Sequence, residues 1–200
     1  MMQAEAARET RKQETRARIL KAAAELYLAR GLDGVSIDEV ARAAERTKGA
    51  VYGHFADKEA LLLEVWRAHY SQKRALIEAA LARSGDPATM ARELERAMTA
   101  VFALGPWSAL AVDVRRRAEY SALASELAAL EQAETAALTA HFVRVRDEMG
   151  LAAVLAPNEI ASTLFALAEG LLLRGAVAPD IAAARFMAVL LLLINRGAPP

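Results

Sequence analysis

The chain has 200 residues, 25 basic and 25 acidic side chains, and no cysteine. That length suits one compact domain or two small ones, and the missing cysteine excludes a disulfide framework, a zinc–thiolate site, an iron–sulfur cluster and a thiol nucleophile. The first eighteen residues are charged and lack the apolar stretch of a signal peptide. The longest apolar run, 186–194, is nine residues, against the ~20 a membrane span needs, so a cytoplasmic protein with no membrane partner is expected.

Alanine occupies 48 positions and Gly and Pro together only 16, a composition that favours helix almost everywhere. The expected fold is all-α with about nine helices. In the first helix Ile19, Ala23, Leu26 and Tyr27 recur at helical spacing and the run ends near Gly31. Ser36 with Glu39 three residues on is a capping-box signature, and Ile37, Val40, Ala41 and Ala44 form the apolar face behind it. Thr47 is placed to cap a third helix and Asp57 a long fourth one reaching about Arg83. Asp86-Pro87 opens the next, and Gly105-Pro106 reads as a stop and restart. From about 121 to 149, Leu123, Leu127, Leu130, Leu138, Phe142, Val145 and Met149 recur at three- and four-residue steps. Pro157 and Pro179 open the last two helices.

The zero net charge conceals an asymmetry. Residues 1–58 carry eleven Lys/Arg against nine Asp/Glu, and within 8–21 six bases face Glu9 and Glu14 alone. A basic arm ahead of a neutral body suits a polyanion, although such a face is also simply well solvated.

The spacing over 36–55 gives two short helices joined by a three- or four-residue turn, a helix-turn-helix unit. In such a unit the first helix braces the second so that its N-terminal end can enter the major groove of DNA. Thr47, Lys48, Gly49 and Ala50 are small or donor-bearing, Tyr52 and His54 are phosphate donors, and Val51 and Phe55 belong to the core.

The segments T-R-A-R-I-L-K-A-A-A-E-L-Y at 15–27, G-L-D-G-V-S-I-D-E-V-A-R-A-A at 31–44 and T-K-G-A-V-Y-G-H-F-A-D-K-E-A-L at 47–61 closely resemble the DNA-binding region of the tetracycline-repressor (TetR) family. The rest of the chain resembles that family in architecture only. The resemblance implies a helix-turn-helix DNA-binding domain at 1–58 and a helical ligand-binding and dimerisation domain at 59–200. It implies a homodimeric repressor on a palindromic operator of double-stranded DNA, released by a small-molecule effector. An activator, or a regulator without ligand, would use the same head. Carried onto this chain, the pattern assigns Thr47, Lys48 and Ala50 to the groove and Ser36, Tyr52, His54 and Lys58 to the phosphate backbone. Ser36 and Thr47 would cap helices in any case. One departure stands out: the family's turn usually holds glycine and a small apolar residue, where this chain has Glu45 and Arg46. Either the turn differs, or a left-handed non-glycine residue is tolerated at roughly 1–2 kcal/mol, with Arg46 reaching a phosphate.

The second half says less. Trp66, His69, Tyr70, Trp107, Arg146 and Glu169 look too polar or too large for plain packing, and Phe102, Phe142 and Phe165 are candidates to line the same space. Aromatic walls with a few polar anchors suit an apolar or amphipathic effector. Arg115-Arg116-Arg117 reads as a solvated face or as an anchor for an anion. The last two helices are apolar around most of their circumference. A two-fold interface through Ala161, Phe165, Ala168, Leu172, Phe186, Val189, Leu190 and Leu193 explains both stripes. The three histidines lie far apart in sequence and no phosphate-loop or nucleophile motif is present. No enzyme activity, metal or cofactor is therefore expected.

Overall fold

A computed structural model describes residues 2–82, 86–105, 107–116, 120–149, 155–173 and 177–194. Arg83, Pro106 and Arg117, named above, lie outside them, as do the side chains of Val145 and Met149. Among the described residues the chain is all helix: α1 (Met2–Arg30), α2 (Ile37–Ala43), α3 (Lys48–Tyr52), α4 (Lys58–Ala82), α5 (Pro87–Phe102), α6 (Trp107–Arg116), α7 (Ser121–Met149), α8 (Pro157–Leu173) and α9 (Pro179–Leu193). The all-α reading with an N-terminal helix-turn-helix is borne out.

Short-range chemistry sets these boundaries. Gly31 ends α1 at φ 71, a left-handed conformation in which its N–H reaches the Tyr27 carbonyl at 2.9 Å. Asp57 Oδ1 accepts from the Ala60 N–H at 2.7 Å at the start of α4, and Asp86 Oδ1 accepts from Ala88 and Thr89, both at 3.0 Å, at the start of α5. Gly105 sits at φ 104 between α5 and α6.

The chain divides into two compact units, Met1–His69 and Tyr70–Pro200. The division falls inside α4, whose first turns bury Leu61, Leu62 and Val65 and are tied to α1 by the Arg16–Glu64 pair. In the first unit α2 packs on α1 and on α3, around Ile19, Ala23, Tyr27, Val40 and Val51, all fully buried. In the second unit α5 packs on α9, α8 on both α7 and α9, and α6 on α7 and α8. Its core gathers Met98, Val101, Phe102, Ile160, Leu164 and Phe186 with their neighbours. Among the described residues no single helix is long and apolar enough to cross a membrane.

Candidate functional site

The helix-turn-helix is built from three successive caps. At the start of α2 the Ser36 hydroxyl accepts from the Glu39 N–H at 3.3 Å, and Glu39 Oε2 accepts from the Ser36 N–H at 2.8 Å, a complete capping box. Arg30 donates to the other Glu39 oxygen at 2.9 Å. The Ser36 backbone N–H, then the Ser36 hydroxyl, then Arg30 hold the Glu39 carboxyl down at about 2.

At its other end α2 closes with two backbone bonds, Glu45 N–H to the Arg42 carbonyl at 3.1 Å and Arg46 N–H to the Ala41 carbonyl at 2.8 Å. This is a Schellman closure with Glu45 in the left-handed position, at φ 55. Of the two alternatives left by the sequence, the left-handed non-glycine turn is the one the chain adopts. Arg46 donates from Nη1 to the Glu45 carbonyl at 2.8 Å, which adds one more bond across the turn.

Thr47 then caps α3: its Oγ1 accepts from the Ala50 N–H at 3.1 Å. Val51 and Phe55 are buried, so α3 is pinned by one side and turns Lys48, Gly49 and Tyr52 outward. Tyr52 is 48 % exposed, which makes it one of the few large aromatic or aliphatic side chains presented to solvent. Lys48 is exposed and donates to Asp38 Oδ2 of α2 at 2.8 Å; that bond holds its ammonium above the usual lysine range. A β-carbon added to Gly49 would find its nearest neighbour at 3.9 Å, the Thr47 Oγ1. Packing within the head therefore does not require a glycine there.

His54 is half-buried beside Phe55, ring centres 6.1 Å apart. Burial, followed by the charges of Lys12 and Arg16, lowers its proton affinity below that of an ordinary histidine. The basic residues of 8–21 lie along α1, and Arg16 among them pairs with Glu64 and stacks its guanidinium 5.5 Å from the Phe55 ring centre. Lys58 donates to the Leu32 carbonyl at 2.6 Å, tying the start of α4 to the loop after α1.

The second unit holds a cavity of about 200 Å³, walled by apolar side chains of α5, α7, α8 and α9 and the second half of α4. Of the effector candidates read from the sequence, Phe142 and Phe165 line it. Tyr70 lines a smaller, more polar recess that shares Lys73, Ile77, Leu138, His141 and Phe165 with the cavity. Phe102 instead packs edge-on against Phe186 at 6.3 Å. Trp107 is buried and donates from Nε1 to the Leu104 carbonyl at 3.1 Å. Arg146 pairs with Asp147, Glu169 does not line the cavity, and Trp66 and His69 are buried residues of the first unit. Arg115 pairs with Glu131, and Arg116 is exposed.

Sequence reasoning missed Lys73 and His141, which among the described residues are the titratable side chains of the cavity wall. Lys73 had a visible signal: it follows Trp66 and Tyr70 and precedes Ile77 at steps of four and three on one helical stripe.

The apolar stripes of α8 and α9 divide in two. Ala161, Ala168, Phe186 and Leu190 are buried within the chain's own core, whereas Phe165, Leu172, Val189 and Leu193 are half-buried. The large apolar side chains left exposed on these helices are Leu173, Ile181, Leu191 and Leu192, the last at 74 %.

Residues 19–65 match the family model described as bacterial regulatory proteins, tetR family. Over 83 residues the chain is 40 % identical to the HTH-type transcriptional regulator AcrR of Shigella flexneri, covering 41 % of this chain and 39 % of that protein. It is 38 % identical over 68 residues to the HTH-type transcriptional repressor BepR of Brucella suis, covering 34 % and 32 %. The chain thus matches well under half the length of these curated relatives. Across the whole fold it superposes on a protein from Rhodococcus sp. described as a TetR-family transcriptional regulator, with a TM-score of 0.74 and 25 % identity, over 92 % of this chain and all of that one. The fold of NalD from Pseudomonas aeruginosa is also similar, at a TM-score of 0.64 and 24 % identity over 94 % and 99 % of the two chains. The resemblance read from residues 15–61 is borne out, and the relatives found are transcriptional regulators rather than enzymes.

Proposed function

We propose that this chain, with its TetR-family head segment and TetR-family fold, is a cytoplasmic homodimeric repressor that sits on a palindromic operator and is released by a small apolar or amphipathic effector. The observation that carries the reading is α3. Val51, with Phe55 just beyond the helix, is spent on the core, while Lys48, Gly49 and Tyr52 are exposed beside the N-cap Thr47. Thr47, Lys48 and Ala50 read the groove, while Tyr52, with Ser36, Arg46, His54 and Lys58 around it, faces phosphates. Phosphate contacts fix register, and only the groove contacts bear on which sequence is read.

A palindromic site needs two heads about 34–36 Å apart. The exposed leucines of α8 and α9 supply the self-complementary face for that dimer, and an apolar face of this kind in water favours association. The effector occupies the second-unit cavity, and it need only bind better to a form whose heads no longer match successive grooves.

Fluorescence anisotropy on DNA flanking the coding region, with random duplex as competitor, tests the head. Binding that resists competitor, weakens steeply with salt and is lost in Tyr52→Ala supports it. Failure to bind any duplex at low salt overturns it. Leu192→Glu, at an exposed position, tests the dimer: a folded monomer with weakened operator binding is expected, and an unchanged sedimentation coefficient refutes this interface.

A further inference from the structure

Among the described residues, the apolar cavity is lined by one lysine and by no arginine or carboxylate. Lys73 of α4 lines both the cavity and the polar recess beside it. Its ammonium lies 5.1 Å from the Tyr70 ring centre and 5.3 Å from that of Phe165, between two aromatic faces. Among the described residues Lys73 makes no hydrogen bond or ion pair. Burial lowers its proton affinity, opposed by the more distant charges of Glu169, Glu134 and Glu131.

Those carboxylates do not reach it, and two are already committed. Glu134 is paired with Arg74 at 2.9 Å, and Glu131 with Arg115 while accepting from the Tyr70 hydroxyl at 3.2 Å. Glu169, on α8, stands outside the cavity wall. His141 is the other titratable group in that wall, and Arg144 lies 3.0 Å from its Nδ1. Removing an ammonium from water without a bonded partner is costly, and cation–π attraction returns only part of that cost.

We infer that the cavity takes a ligand with an apolar body and one anionic group, and that Lys73 is the residue that pairs with the anion. The inference rests on the cavity being the effector site and adds the ligand's chemical class. A neutral apolar ligand leaves the ammonium unpaired, and a cationic one places a second positive charge beside it. An anion completes its hydrogen bonding while the tail fills the wall of Met98, Leu164 and Met187. The volume of about 200 Å³ lies below the ~300–1,000 Å³ common for drug-sized ligands, so the body is a short chain or a single ring.

Calorimetric titration of the full chain with octanoate, octanol and octylamine tests this without DNA. Octanoate is expected to bind about tenfold or more tighter than either analogue, the worth of one charge-assisted hydrogen bond. Lys73→Met should bring octanoate down to the level of octanol and leave octanol unchanged, and Lys73→Arg should keep the preference. Thermal melting guards against trivial unfolding: Met in place of a half-buried, unpaired charge should melt no lower than the wild type. Octanol or octylamine binding as tightly as octanoate, or octanoate binding unaffected in Lys73→Met, overturns the anion assignment and leaves the effector site standing. If none of the three binds, the effector site and this inference fall together.

Discussion

The turn between α2 and α3 carries a strain that a single substitution should release. Glu45 sits at φ 55, where a β-carbon crowds the following carbonyl at a cost of about 1–2 kcal/mol. Its side chain is exposed and, among the described residues, makes no hydrogen bond or ion pair that would offset this. Glu45→Gly removes the clash but adds backbone freedom to the unfolded chain, which costs about 0.5–1 kcal/mol. The net expectation is a gain of about 0.5–1 kcal/mol.

The size of the melting shift depends on what unfolds. If the Met1–His69 unit melts on its own, the gain is a rise of about 2–8 °C; if the chain melts as one, about 1–4 °C. Circular dichroism melts of the wild type, Glu45→Gly and Glu45→Ala separate the causes. Alanine keeps the β-carbon and the strain while removing the charge, so it should gain little. If alanine gained as much as glycine, charge rather than backbone strain would explain the effect, and a fall in Glu45→Gly would refute a left-handed turn at this position.

Acid should loosen the same unit. Glu39 is held at about 2 against an ordinary 4.5, so its stabilisation is complete above 4.5 and is lost as the pH falls through about 2; urea titrations across that window should show Glu39→Gln flattening the pH dependence. Asp38→Asn should tighten operator binding at low salt, because it releases Lys48 from its exposed partner and removes a negative charge from the DNA-facing side. Weaker binding would mean that Asp38 positions the lysine for reading instead. Gly49→Ala should raise head stability by about 0.5–1 kcal/mol, since its β-carbon would make only an ordinary van der Waals contact with Thr47 Oγ1, while weakening operator binding measured by anisotropy; undiminished binding would show that the backbone does not approach the groove there.

The head was legible because its determinants are local. A cap depends on a side chain and a backbone N–H two or three residues away, so Ser36 with Glu39, Thr47 with Ala50 and Asp57 with Ala60 can be read along the chain and recur in space. The division of α4 between the two units was not legible. No change of composition marks His69, and the ties that hold the start of α4 to the first unit, Arg16 to Glu64 and Lys58 to Leu32, join residues far apart in sequence.

Apart from Phe142 and Phe165, the cavity of the second unit was not legible, because its wall and its core are made of the same residue types. Size and polarity single out Trp107 and Phe102, yet one is satisfied by the Leu104 carbonyl and the other by Phe186. The cavity is instead bounded by Met90, Leu94, Met98, Leu164 and Met187, which no sequence pattern separates from ordinary packing. The run 189–194 fails as a guide for a related reason. With no polar position to phase it, the sequence cannot tell Leu190, which is buried, from Leu192, which is 74 % exposed. Lys73 breaks this degeneracy. A charge on an otherwise apolar stripe is costly unless something uses it, so a lysine following Trp66 and Tyr70 at helical spacing is a stronger pointer to a ligand than any aromatic in this half of the chain.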